Sequence, residues 1–117
     1  MKIISTTIAK SARNGWQAKT NIELTAPYRL SIETSKRCGG GVSTNAMVCK
    51  VDGGFLTYEL CGDFSECVEL DRDARSTEKT VAAQHQVALA QLPAILERVY
   101  AFPKYAGKIE RLEALPS

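Results

Sequence analysis

A chain of 117 residues and 12.8 kDa, 44% hydrophobic and 24% charged with a mean hydropathy of −0.15, has the size and balance of one globular domain. That composition excludes a disordered tail, a collagen and a disulfide mini-scaffold, and a net charge of +2 falls far short of the positive field of a nucleic-acid binder. No apolar run approaches the ~20 residues of a membrane span, and the opening Met-Lys-Ile-Ile-Ser-Thr-Thr-Ile has too little apolar length for a signal peptide, so a cytoplasmic location is expected.

Along the first two-thirds of the chain, even-numbered positions stay largely apolar. Ile4, Thr6 and Ile8, then Trp16, Ala18, Thr20, Ile22 and Leu24, then Tyr28, Leu30 and Ile32 alternate with Gln17, Lys19, Asn21, Glu23, Arg29, Ser31 and Glu33. A two-residue period is that of strands with one buried face. A three-residue Arg13-Asn14-Gly15 loop, with Gly15 left-handed, pairs Ile4 with Leu24, Thr6 with Ile22 and Ile8 with Thr20. A two-residue Asn14-Gly15 loop would send Ile4 and Ile8 to the wrong face. The link Thr25-Ala26-Pro27 sets Ile22 opposite Leu30. After Gly39-Gly40-Gly41, a strand over Val42–Val51 meets one over Phe55–Cys61 across Asp52-Gly53-Gly54, pairing Val48 with Tyr58 and Ala46 with Leu60. A short strand near Glu66–Leu70 sets Val68 opposite Leu60.

The charged connector Asp71-Arg72-Asp73-Ala74-Arg75 leads to Ser76 or Thr77 as an N-cap, with Glu78 in the first helical turn. Val81, His85, Ala88, Leu92, Leu96 and Val99 then recur at helical spacing. Pro93 predicts a kink near Leu89 or a break into two helices, and Pro103 ends the helix. Ile109, Leu112 and Leu115 suit further helical turns. The expected fold is therefore α+β, an antiparallel β-meander of five to six strands packed on one face by a C-terminal helix kinked at Pro93. It forms a single domain, 1–117, with the sheet over 1–70, the helix over 76–102 and a tail over 103–117.

Four cysteines, Cys38, Cys49, Cys61 and Cys67, could in number close a zinc site, but no Cys-x-x-Cys pair is present. Reduced structural thiols fit a cytoplasmic chain, and Cys61 with Cys67 across the last hairpin gives a redox- or metal-responsive alternative. His85 is the sole histidine, and its place on the buried stripe reads as an imidazole hydrogen-bonded to the sheet, against a Cys-His nucleophile pair with no group to orient it. The glycine runs lie between strands, where a phosphate loop would need a following helix, so they read as turns. No cofactor motif is present.

Lys10, Arg13, Lys19, Arg29, Lys36 and Arg37 make one half of the sheet basic, while Asp52, Glu59, Asp63, Glu66 and Glu69 make the other acidic. Such polarity fits an ordinary solvated surface or guidance of a protein partner, and disfavours direct nucleic-acid contact. Asn45, Met47, Cys49, Val51, Phe55 and Thr57 make the odd-numbered face unusually apolar, so either the C-terminal segment covers it or a partner does.

Lys2-Ile3-Ile4-Ser5-Thr6-Thr7-Ile8-Ala9-Lys10, Leu30-Ser31-Ile32-Glu33-Thr34-Ser35-Lys36-Arg37 and Thr77-Glu78-Lys79-Thr80 resemble small proteins encoded on bacterial mobile elements, a group that includes the anti-CRISPR inhibitors of phages and integrated elements. The resemblance covers the architecture of most of the chain. It implies a non-enzymatic inhibitor that occupies a surface of a host CRISPR effector complex. Met47, Phe55 and Thr57, the acidic Glu59, Asp63 and Glu66, and the Gly40 loop would then supply the partner contacts. A homodimer meeting through outer faces or strand edges is the remaining alternative.

Overall fold

Alternating apolar and polar residues drive the first half of the chain into four long antiparallel strands, β1 (Lys2–Ser11), β2 (Gly15–Glu23), β3 (Tyr28–Lys36) and β4 (Val42–Asp52), paired in chain order. The computed structural model describes residues 2–12, 15–36, 41–52, 55–57, 65–68 and 77–111. Two short segments, β5 (Phe55–Thr57) and β6 (Ser65–Val68), pair with the edge of β4 that β3 leaves open. The molecule is thus α+β with an open antiparallel sheet. Its body is four long strands rather than a meander of five to six, because β5 and β6 occupy successive stretches of one edge.

The registers show what periodicity can fix. In the link between β2 and β3 the expected pairing is observed, Ile22 opposite Leu30. In the first hairpin Gly15 is left-handed as expected, with φ 65°, yet Thr6 pairs with Thr20 and Ile8 with Ala18. That is two residues from the expected pairing, a shift that leaves each side chain on its own face and is invisible to an alternation pattern. An irregularity between Ile3 and Ser5 breaks the ladder near the start of β1. On the far edge, Lys50 pairs with Thr57, Val51 with Leu56 and Asp52 with Phe55, one residue from expectation. Val68 faces Thr44 of β4 rather than Leu60, and Cys67 faces Asn45.

Thr77 caps helix α1 (Glu78–Ala90), its Oγ1 accepting from the Thr80 amide at 3.2 Å. The helical stretch breaks in two at Gln91, whose amide donates to the Ala88 carbonyl, and α2 (Leu92–Ala101) begins at once. Pro93 explains the break: within a continuous helix it would lack a donor and crowd the Leu89 carbonyl, whereas the first turn of a new helix needs no amide there. The stripe Val81, His85, Ala88, Leu92, Leu96 and Val99 is buried throughout, and Ile95 joins it.

Both helices cover the even-numbered face. Ile22, Leu24, Tyr28, Leu30, Ile32, Ala46 and Val48 pack with Ala88, Leu92, Ile95, Leu96 and Val99 as the main core. Fully burying each large aliphatic side chain contributes roughly 1.5–3 kcal/mol. Ala18, Val42 and Val81 form a second, smaller cluster beside Trp16. Beyond α2, a 3-10 turn (Pro103–Tyr105) returns the chain to the sheet, where Tyr105 and Ile109 complete the main core. Tyr105 meets Tyr28 edge-on at 5.4 Å. The Glu110 amide donates to Thr25 Oγ1 at 2.8 Å, and Arg111 pairs with Glu97 and lies over the Tyr100 ring. The tail through Arg111 therefore packs on the helix side, not on the odd-numbered face; Leu112 and Leu115 lie outside the described residues.

Candidate functional site

The space between the two apolar clusters is polar. Strand register brings Thr6 beside Thr20 and Thr34 beside Thr44, and α1 lowers His85 between the pairs. His85 Nε2 lies 2.7 Å from Thr20 Oγ1, and Nδ1 lies 2.8 Å from Thr34 Oγ1. The hydroxyls continue the chain outward, Thr20 to Thr6 at 3.2 Å and Thr34 to Thr44 at 2.6 Å. One imidazole thus ties four strands to a helix through five side chains.

A neutral imidazole donates from one ring nitrogen and accepts at the other, and a threonine hydroxyl can do either, so every member finds a complement. Burial disfavours the imidazolium and holds the His85 pKa below its ordinary 6.5. With both ring nitrogens engaged inside the core, His85 acts as a structural cross-link. Its place on the buried stripe and its bonding to the sheet were readable from helical spacing. The sequence signal for the threonines is an even-numbered threonine on each of four strands, Thr6, Thr20, Thr34 and Thr44.

The odd-numbered face is built from cross-sheet rows. Ser5, Asn21, Ser31 and Met47 form one, and Thr7, Lys19, Glu33, Asn45 and Cys67 the next. Ser31 and Cys49 are buried, Met47 is half-buried, and Asn45 and Cys67 are exposed. Asn21 Nδ2 donates to Ser5 Oγ at 3.1 Å. Asn21 Oδ1, Arg29 Nε and Ser31 Oγ are buried without a hydrogen-bond partner, a condition that costs roughly 1–3 kcal/mol per group. Burial pushes the Cys49 thiol up to about 11, against the opposing pull of Lys19 and Arg29.

Of the residues expected to meet a partner, Met47 lies on this face as anticipated. Phe55 and Thr57 do not share its register: they oppose Asp52 and Lys50, even-numbered positions of β4. The slip of one residue has that effect because strand side chains alternate. Glu66 opposes Ala46, likewise an even-numbered position. Gly40, Glu59 and Asp63 lie outside the described residues.

Cys67 is exposed and carries a thiol rather than a disulfide. Cys67 lies on β6 opposite Asn45 of β4, and Cys61, its expected partner across the last hairpin, lies outside the described residues. Among the described residues no cluster of three or more His, Cys, Asp or Glu could hold a metal, and no helix is long and apolar enough to cross a membrane. Comparison with protein-family models, with curated proteins and with solved structures finds no match to this chain.

Proposed function

We propose that this protein is a non-enzymatic protein-binding inhibitor, in its most specific form an anti-CRISPR protein that occupies a surface of a host CRISPR effector complex in the cytoplasm. The observation that carries this reading is the asymmetry of the sheet. Helices α1 and α2 and the tail all pack on the even-numbered face. On the other face, the row Asn21, Ser31 and Met47 sets two buried, unpaired polar atoms beside a half-buried thioether. A partner that shifts the overlying side chains gains hydrogen bonds the free protein lacks, with Met47 as an adaptable apolar contact. Lys19 and Arg29 on the same face orient an acidic partner surface.

The test is affinity capture by the tagged protein from a bacterial lysate containing intact CRISPR effector complexes, read by mass spectrometry. The native chain recovers an effector subunit in stoichiometric amount. Met47→Asp lowers recovery at least tenfold, as loss of a buried interface contact does, while Val87→Asp, on the exposed side of α1, leaves it unchanged. Recovery of the bait alone, or equal recovery by Met47→Asp, contradicts the reading.

A further inference from the structure

Strand β1 ends the sheet and pairs, among the described residues, with β2 alone, whereas β5 and β6 pair along the opposite edge, on β4. Thr6, Thr7, Ile8, Ala9 and Lys10 are exposed in succession. The ladder to β2 is unbroken from Ser5 to Ser11, and the irregularity between Ile3 and Ser5 lies before it, so the outer side of this stretch is a regular edge. Proteins blunt such edges with charge, proline or bulges, and Thr6, Thr7, Ile8 and Ala9 carry none of these. Ile8, 43% exposed, stands at the centre. It pairs with Ala18, which belongs to the smaller apolar cluster with Val42 and Val81, so Ile8 prolongs that cluster to the margin of the sheet.

We infer that β1 is the interface of a homodimer in which two copies pair antiparallel about a two-fold axis at Ile8, joining their sheets into one. That axis sets Ile8 opposite Ile8, Thr7 opposite Ala9 and Thr6 opposite Lys10. The exposed stretch from Thr6 to Lys10 is centred on Ile8, so both copies use it in full. Other registers fit worse. An axis at Thr7 sets Ile8 against Thr6, and an axis at Ala9 sets it against Lys10. An axis at Lys10, or an in-register parallel pairing, opposes the two lysines, and like charges opposite one another across strands repel. Only the axis at Ile8 brings two large apolar side chains together, where they bury each other and join the two smaller clusters across the dimer. A second copy thereby supplies each thing this edge asks of an occupant: a regular strand, no charge against Lys10, and an apolar side chain against Ile8. Closure follows as well. The β4 edge is taken by β5 and β6, so pairing through β1 stops at two copies instead of continuing as a filament. Because the axis runs through the sheet, pairing covers neither odd-numbered face, and the dimer forms whether or not the protein is an inhibitor.

The test is sedimentation equilibrium of the full-length protein under reducing conditions, from about 1 µM to about 1 mM chain. The native mass rises from 12.8 kDa toward twice that value. Ile8→Lys sets like charges against each other at the axis and weakens the dimer at least tenfold, with unchanged circular dichroism because the site is exposed. Val87→Lys, at the other exposed large hydrophobic residue among those described, leaves the dimer intact. Register is read separately, by oxidising Ile8→Cys and Lys10→Cys and identifying the linked peptides by mass spectrometry. Residues directly opposite across antiparallel strands lie within disulfide reach, so position 8 is recovered linked to position 8. Position 10 is not linked to position 10, because four residues of strand hold the two about 14 Å apart. Monomer mass throughout, a dimer that Ile8→Lys leaves intact or Val87→Lys dissociates, or self-linkage at position 10 equal to that at position 8 overturns the inference.

Discussion

His85 concentrates more of the fold in one side chain than any other residue described. Removing it leaves Thr20 and Thr34 each with one threonine partner and a cavity where the ring stood. His85→Leu therefore lowers stability by about 2–4 kcal/mol in urea unfolding. Thr20 and Thr34 keep Thr6 and Thr44 as partners in this variant, so the triple variant His85→Leu, Thr20→Val, Thr34→Val, which strands the buried Thr44 hydroxyl, is less stable than His85→Leu alone. Titration gives an independent readout. The native pKa lies below 6.5 because burial penalises the imidazolium, so between 6.5 and the native value the unfolded chain holds a proton that the folded chain does not. Stability is full above 6.5, falls as pH drops through that window and levels off below the native pKa. Urea midpoints across pH 4.5 to 7.5 show this slope in the native chain and lose it in His85→Leu. The depressed Glu97 carboxyl titrates below its ordinary 4.5, under the range scanned.

At the scale of elements, the tail is the piece whose role can be isolated. Tyr105 is buried against Tyr28 and Phe102 and holds the segment after α2 onto the core. Tyr105→Ala is expected to cost about 3–5 kcal/mol, as large-to-small aromatic changes in cores do. Hydrogen exchange should show the amides of Lys108 and Ile109, which bond to the Tyr105 carbonyl, losing protection before those of α2. Faces were legible in the sequence because burial imposes a period of two on strands and 3.6 on helices. The break at Pro93 was legible because a ring without an amide has one tolerated place near a helix start. Register was legible only where the link is short and closed by Pro27. From Ser5 to Ser11 the two-residue shift at the first hairpin preserves every face, so alternation carries no information about it. Beyond Asp52 a one-residue shift did change faces, and Val51, Phe55, Leu56 and Thr57 offer apolar or β-branched side chains in both phases. The threonine network is not legible in the sequence because each threonine, taken singly, is a tolerated strand residue; only the register that aligns them creates a site.

Over the whole molecule, the two sheet faces differ in what packs on them. The even-numbered face spends its apolar side chains on α1, α2 and the tail, with the histidine network between the two clusters. The odd-numbered face keeps polar atoms without partners beside Met47, and this division of labour is what the inhibitor reading rests on. On the proposed reading the protein acts by occupancy, so its effect is bounded by stoichiometry, whereas an enzyme acting on the same complex would turn over. The measurement that separates these is a titration of the purified protein against a fixed amount of purified CRISPR effector complex, with target cleavage as the readout. Inhibition that saturates near one protein per complex and is lost in Met47→Asp, with Val87→Asp as active as the native chain, is the predicted result. Inhibition at far below one protein per complex, undiminished inhibition by Met47→Asp, or cleavage untouched at excess would contradict it.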